Sequence, residues 1–414
     1  TNYLIIRAHI KIIFRLKLYY YLFNFIYIAL FFYPKTLNLH IVYNYKIVIE
    51  CRRNSILSKR GVIKLKKIKL AVIFGGMSTE NEVSIISGTS VIKNINKEKY
   101  EIFPIYIDKK GTWHKYPENQ NLMNIKENIS KFIKIENVTE YIKKFDVVFP
   151  VLHGLYGEDG TIQGMLELLK IPYVGCNVLA SSVGMDKAYT KVIFEKANLK
   201  QADYIYIRKN DDKYIFVEKD FSEEILNIED IVEKIVKNIT FPMFVKPSNS
   251  GSSVGVRKVV SKEELKNAIE YASSFDKKII IEQGIKGKEV ECAVLGNEIV
   301  KSSCVGEIIP AEEFYSYDAK YNNSDSKTLI PANISEEISE KIQYLAIKAF
   351  KAINGAGLAR VDFFIEDATQ EVYINEINTM PGFTSISMYP KLWEKSGIQY
   401  EDLLDRLIQL AFER

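Results

Sequence analysis

Leu358-Ala359-Arg360-Val361-Asp362-Phe363-Phe364-Ile365 is followed closely by Glu371-Val372-Tyr373-Ile374-Asn375-Glu376-Ile377-Asn378-Thr379-Met380-Pro381-Gly382. Both are hydrophobic runs of strand length. Side chains alternate faces along a strand, so Arg360 and Asp362 point the same way, as do Glu376 and Asn378. If the two strands are neighbours, three oxygen-bearing side chains and a guanidinium meet on one wall. Mg²⁺ takes hard oxygen ligands and usually keeps substrate phosphates among them. An arginine beside it suits a transferring phosphoryl group. A salt bridge between adjacent surface strands is the plainer alternative, and the upstream sequence decides between the two.

Working outward, residues 335–353 read as a helix with Ile338, Ile342, Leu345, Ala346, Ala349 and Ile353 inward. Leu403, Leu404, Leu407, Ile408 and Ala411 mark a last helix. Residues 305–331 are polar and tyrosine-rich, with little periodicity. Upstream, 278–282 and 289–295 read as strands around Gly284 and Gly287, 263–272 as a helix, and 256–260 as a strand. Val245-Lys246-Pro247 ends a further strand and runs into Ser248-Asn249-Ser250-Gly251-Ser252-Ser253-Val254-Gly255. Small residues let backbone N–H groups approach an anion, and Lys246 adds a point charge. The spacing is not GxxxxGK[ST]. A mobile hairpin turn remains the alternative for this loop.

The first part of the body differs. Residues 69–74 form a short apolar strand, Gly75-Gly76 turns the chain, and Thr79-x-x-Glu82 has the spacing of a capping box before a helix. Strands follow at 100–107, 146–152 and 171–174, with a helix between the last two bearing Ile162, Met165, Leu166 and Leu169 on one face. Residues 182–197 read as one helix carrying Met185-Asp186-Lys187, and 209–233 as exposed loop and helix. The start is therefore α/β with a largely parallel sheet, and the remainder α+β with antiparallel sheets.

Candidate chemistry clusters at strand ends. Glu282-Gln283-Gly284-Ile285 closes a strand at a turn, where backbone groups can read an adenine edge and Glu289 can accept from ribose; two exposed hairpin acids are the alternative. His153-Gly154-Leu155-Tyr156-Gly157-Glu158-Asp159-Gly160 follows a buried strand, a usual place for α/β ligand sites. Glu80 either stabilises a helix N-terminus or holds a substrate ammonium.

Charge and cysteines bound the class. The net charge of +4 is uneven. Residues 1–67 hold 13 Lys/Arg and one acid, Glu50, whereas the rest holds 43 Lys/Arg and 51 acids. An acidic body gives no argument for nucleic-acid binding. Cys51, Cys176, Cys292 and Cys304 form no CxxC and no zinc pattern, which fits a reducing cytosol, so a cytoplasmic protein is expected. Residues 18–33 are apolar and aromatic, preceded by Arg7, Lys11, Arg15 and Lys17. Sixteen residues fall short of the roughly 20 that span a bilayer. Residues 1–67 are expected to be a non-native or disordered extension, with a start near residues 62–67 and a membrane anchor as the minority alternative.

Read together, the motifs carry a resemblance. Gly75-Gly76-x-Ser78-x-Glu80-x-Glu82-Val83-Ser84, the His153–Gly160 octet, Met185-Asp186-Lys187, the Lys246 strand with Gly251-Ser252-Ser253-Val254-Gly255, Tyr317-x-Ala319-Lys320-Tyr321, Arg360-Val361-Asp362 and the run ending at Gly382 occur in that order. From about residue 68 to the end, the chain resembles the D-alanine–D-alanine ligases of the ATP-grasp superfamily. The resemblance implies a three-domain ATP-grasp fold: a Rossmann-like N-terminal α/β domain over 68–176, a central subdomain over 177–283 and a C-terminal catalytic domain over 284–414. It implies ATP phosphorylation of one D-alanine, attack by the amine of a second, and a role in peptidoglycan precursor synthesis.

By the same resemblance, Asp362, Glu376 and Asn378 hold two Mg²⁺, with Mn²⁺ as a substitute. Lys187, Lys246, Ser252 and Lys320 contact ATP, Glu282, Gln283 and Ile285 border adenine, and Glu289 meets the ribose. Glu80 holds the first D-alanine's ammonium, linked to Ser252 and Tyr321, and His153 lies near that substrate's carboxylate. Arg360 and the Gly382 N–H steady the tetrahedral intermediate, and Ser387 and Met388 receive the second carboxylate. Residues 248–255 and 311–331 are implied lids that exclude water. A homodimer is expected. Asn249-Ser250 and Met388 depart from commoner family residues without removing a reactive group. The Tyr-x-Ala-Lys-Tyr lid matches dipeptide-forming members, leaving D-lactate or D-serine as the alternative acceptor.

Overall fold

The computed structural model describes residues 66–117, 125–251, 253–309 and 327–414. Residues 67–414 form one compact unit. The segment 18–33, Ser252, Lys320 and Tyr321 fall outside the described residues. Among the described residues, no helix is long and apolar enough to cross a membrane.

Three sheets carry the unit. In the first, β1 (Ile68–Gly75) lies between β2 (Tyr100–Ile107) and β5 (Val147–Pro150), parallel to both. Residues 70–74 are wholly buried, as expected of a parallel strand covered on both faces. Short antiparallel strands β3 (Trp113–Lys115) and β4 (Ile133–Lys134) extend the edge to the order β4-β3-β2-β1-β5. Helix α1 (Asn81–Asn94) lies so close to β1 that a Cβ on Gly88 would sit 2.6 Å from that of Phe74. No capping box forms at its start: the helix begins at Asn81, and the Glu80 side chain makes no cap bond. Instead, Ser78 Oγ accepts from Glu80 N and donates to the His153 carbonyl. The local hydroxyl is spent on joining two loops. Residues 171–174 contribute only a bridge, Val148 to Tyr173, rather than a strand. Short helices α2 (Val138–Ile142) and α3 (Thr161–Leu169) flank β5.

The expected helix over 182–197 is two helices, α4 (Val178–Met185) and α5 (Lys187–Lys196). Asp186 adopts extended backbone and caps α5 by accepting from Tyr189 N. The second sheet has the order β10-β9-β11-β6-β7-β8. Its strands are β6 (Tyr204–Asn210), β7 (Lys213–Val217), β8 (Glu223–Leu226), β9 (Met243–Pro247), β10 (Arg257–Val259) and β11 (Lys278–Gln283). The stretch 209–233 thus holds strands before its helix, because Tyr214 and Phe216 bury against α6 (Ile228–Asn238) and α7 (Lys262–Ala272), while Val217 packs on the opposite face with Ala188.

The third sheet is antiparallel, with the order β14-β13-β12-β15-β16. Its strands are β12 (Gly287–Gly296), β13 (Lys301–Ile309), β14 (Lys327–Leu329), β15 (Gly357–Glu366) and β16 (Val372–Asn378), and the end of β13 and all of β14 fall within the stretch 305–331 expected to be irregular. Helix α8 (Glu336–Ala352) covers one face with Ile342, Ala346, Ala349 and Phe350 buried. Helices α9 (Met388–Lys395) and α10 (Tyr400–Ala411) pack with β1, β5 and β12 in one core, which joins the first sheet to the third. The expected mixture of α/β and α+β is what the three sheets show.

Candidate active site

Residues of the second and third sheets line a cavity of about 350 Å³. This lies in the usual size range of small-molecule sites. Phe244, Ile285, Ile308 and Phe364 supply apolar lining, and Lys187, Lys246, Glu282, Glu289 and Glu376 supply charge.

The β15–β16 register makes the wall that the sequence suggested. Arg360 pairs with Asn378 and Asp362 with Glu376, and a bulge follows Asp362. Asp362 is buried, and both its oxygens accept from Arg360, Nε at 2.7 Å and Nη2 at 2.6 Å. Asn378 donates to the same carboxylate at 3.1 Å. Glu291 of β12 lies 3.1 Å from Arg360 Nε. Burial opposes the arginine's charge, but Asp362 and Glu291 outweigh it and raise the guanidinium further above its already high value.

Two carboxylates and one amide are hard oxygen donors of the class Mg²⁺ takes when substrate phosphates and water complete its shell. The set therefore fits a divalent cation shared with a nucleotide. Among the described residues, no three His, Cys, Asp or Glu side chains form a metal-holding group by themselves. Glu376 lines the cavity and lies 3.9 Å from Lys187.

The Ser/Gly loop is tied to the start of α5. Lys187 Nζ donates to the Ser250 carbonyl at 2.6 Å, Lys187 N to Ser248 O, and Ala188 N to Ser248 Oγ. Ser248 Oγ and Lys278 Nζ both donate to Asp186. One aspartate thus caps a helix and anchors the loop root. Lys246 donates to Glu282 Oε2 at 3.0 Å. Burial pushes Glu282 up, but Lys191 and Lys246 outweigh it and hold the carboxyl below its ordinary value. Gln283, Ile285 and Glu289 line the same cavity.

On the other side stands the first sheet's loop cluster. Glu80 is buried, and an added Cβ on Gly251 or Gly154 would lie 2.5 or 2.7 Å from its Oε2. Those two glycines bring the Ser/Gly loop and the His153 loop onto one carboxylate. Glu158 also lines the cavity and accepts from Gly154 N at 2.8 Å. Burial pushes its carboxyl well above the ordinary range, and the Glu80 charge adds to that.

His153 is only 4 % exposed. Its Nδ1 lies 3.1 Å from the Met380 carbonyl and its Nε2 2.9 Å from Ser87 Oγ, which also accepts from Phe383 N. A neutral ring donating through Nδ1 satisfies every partner, and burial lowers its pKa to about 4. His153 thus fastens the first sheet's loops to the turn at Gly382. A Cβ on Gly382 would come within 2.6 Å of Ser387 Oγ, so Gly382 and Ser387 adjoin. Ser387 is the N-cap residue of α9, and its Oγ accepts from Thr384 N. The Met388 side chain belongs to the core, which leaves its backbone at the helix N-terminus for any anion.

Ser87, Glu291 and Lys191 take part without any sequence signal of their own. Glu291 alternates with Glu289 along β12, but its link to Arg360 needs the β12–β15 register.

The family model of the D-ala D-ala ligase N-terminus matches residues 69–176, and that of the D-ala D-ala ligase C-terminus matches residues 193–409. The chain belongs to the D-alanine–D-alanine ligase family. The D-alanine–D-alanine ligase of Acetivibrio thermocellus is 51% identical over 376 residues, covering 84% of this chain and 96% of that protein. That of Clostridium acetobutylicum is 48% identical over 351 residues, covering 84% and 99%. Among solved structures, the ligase of Coxiella burnetii is 34% identical at TM-score 0.71, covering 84% of this chain and 94% of that one. The VanG D-Ala:D-Ser ligase of Enterococcus faecalis is 37% identical at TM-score 0.72, covering 84% and 100%. Within this ligase family, the three-sheet mixed α/β architecture is shared with both solved structures.

Proposed function

We propose that this chain is an ATP-dependent ligase that joins two D-alanines into D-alanyl-D-alanine. The observation that carries it is the β15–β16 register, which sets Arg360 and Asp362 beside Asn378 and Glu376, and these last two line the cavity together with Lys187 and Lys246. The curated relatives at about half identity carry the dipeptide-ligase name, so the dipeptide is favoured over the D-serine product named for one solved neighbour.

A carboxylate is a poor electrophile, so it is first given a leaving group. An oxygen of the first D-alanine attacks the γ-phosphorus, ADP leaves, and an acyl phosphate forms. The neutral amine of the second D-alanine attacks the carbonyl carbon, phosphate departs, and the amine's surplus proton passes to solvent. Phosphoryl transfer needs positioning and charge neutralisation more than covalent help. Lys187 and Lys246 bind phosphates, with Ser252 and Lys320 adding contacts. Glu282, Gln283 and Ile285 border the base, and Glu289 the ribose. Asp362, Glu376 and Asn378 would hold the divalent metal, two Mg²⁺ or Mn²⁺, which would supply charge neutralisation at the phosphates.

Glu80, supported by Ser252 and Tyr321, receives the first ammonium. His153 acts by fixing the turn that carries Gly382, whose N–H, with Arg360, steadies the oxyanion. Ser387 and the Met388 backbone receive the second carboxylate. We infer the same three-domain ATP-grasp division, with boundaries at 68–176, 177–283 and 284–414 and a Rossmann-like first domain. A cytoplasmic homodimer belongs to this reading, and sedimentation tests the dimer. Phosphate release from ATP and Mg²⁺ should require D-alanine and stay at background with L-alanine. Release with another amino acid but not with D-alanine would remove the substrate assignment.

A further inference from the structure

Lys191 stands one helical turn beyond Lys187 on α5, so the two share a face. It is 2 % exposed, and among the described residues its Nζ has no hydrogen-bond partner. Its contacts are Glu282 Oε2 at 3.7 Å and the Tyr204 ring, 5.4 Å away at the centroid. Tyr204 and Glu282 are direct partners across β6 and β11, and Lys246 of β9 is the diagonal neighbour of Glu282. One buried carboxylate oxygen therefore lies between two ammoniums, Lys246 at 3.0 Å and Lys191 at 3.7 Å.

The consequence is a matter of charge. Lys246 and Glu282 alone would be a closed neutral pair facing a polyanionic ligand. A second buried cation leaves the trio with one uncompensated positive charge. Buried charges are costly unless paired, so an additional ammonium held without a hydrogen bond is the feature that calls for a role. Lys191 does not line the cavity, whereas Lys246 and Glu282 do.

We propose that Lys191 is a positioning residue, whose charge neutralises Glu282 so that Lys246 keeps its own positive charge for the nucleotide's phosphates. This rests on the cavity being the ATP site. Without Lys191, Glu282 draws Lys246 into a closed pair and nucleotide binding weakens, while D-alanine binding is untouched.

Calorimetric titration of the full chain with ADP and Mg²⁺ tests it. Lys191→Met should raise the ADP Kd about ten- to a hundredfold, Lys191→Gln should do the same, and Lys191→Arg should stay within about fivefold of the parent. The KM for D-alanine should not move. The decisive arm is Glu282→Gln, which removes the carboxylate that would trap Lys246. In that background, Lys191→Met should cost less than about threefold. Circular dichroism confirms folding, and Lys191→Gln carries the test if the Met variant does not fold. Unchanged ADP affinity in the charge-removing variants overturns the proposal. So does an equal loss in both backgrounds, or a Lys191→Arg variant as weak as Lys191→Met. If the parent chain binds no nucleotide, the ATP site itself is refuted, which is a separate failure.

Discussion

At the residue scale, Arg360 carries two jobs that substitution can separate. It satisfies Asp362 with a two-pronged bond and Glu291 with an ion pair, and its proposed second job is to steady the oxyanion. Arg360→Ala should lower kcat about 10²–10³-fold while leaving the ADP Kd within about threefold. Equal loss of both would show that Arg360 serves mainly to hold Asp362. His153 gives a pH signature. Its folded pKa, about 4, lies below the ordinary 6.5, so the unfolded chain takes up a proton that the folded chain refuses. Stability should therefore fall as pH drops from 6.5 towards 4. His153→Gln lacks that term, so the parent should lose stability relative to it over that window in denaturant titrations. A constant gap would mean the histidine titrates normally.

The candidate residues of the β15–β16 wall were legible because strand alternation is local. Arg360 with Asp362 and Glu376 with Asn378 fall on shared faces as read. The partners Ser87, Glu291 and Lys191 were not legible, since each acts through contacts between distant segments. For His153 the place after a buried strand pointed to a ligand site, and the resemblance put it near the first substrate's carboxylate. The fold occupies both ring nitrogens, and no sequence pattern reports that.

At the element scale, the break between α4 and α5 matters most. Apolar residues on both sides of Asp186 read as one helix. What ends the first helix is long-range: the carboxylate is held by Ser248 Oγ and Lys278 Nζ. Asp186→Ala removes a cap and an ion pair together, and should cost about 1–2 kcal/mol in thermal or denaturant unfolding. Because the same aspartate anchors the Ser/Gly loop, the KM for ATP should rise several-fold. Asp186→Asn retains a capping oxygen and should recover part of the stability but less of the KM. Loss of stability with an unaltered KM would separate the loop from the helix. The strands over 209–233 were missed for a related reason. Charged residues there mask the alternation that buries Tyr214 and Phe216.

At the scale of the whole molecule, the cavity draws on two sheets, each with its own packing core. A ligand bound between them stabilises the folded state by mass action. ADP with Mg²⁺ at 100 times its Kd should add about 2.7 kcal/mol. That should appear as a rise in melting temperature which Lys187→Ala and Lys246→Ala diminish. The α/β start and the antiparallel remainder were readable from the change in strand and helix rhythm. The order in which strands join, β6 beside β11 and β12 beside β15, was not, because pairing over long separations leaves no local trace. The unit from Lys67 to Arg414 contains every described site residue, so a chain beginning there should match the full chain in kcat and KM.

The most direct measurement incubates the chain with ATP, Mg²⁺ and D-alanine and counts products by mass spectrometry and phosphate assay. One D-alanyl-D-alanine and one phosphate should form for each ATP consumed, with neither appearing when D-alanine is left out. ATP consumed without dipeptide, or dipeptide formed without ATP, would contradict the ligase assignment.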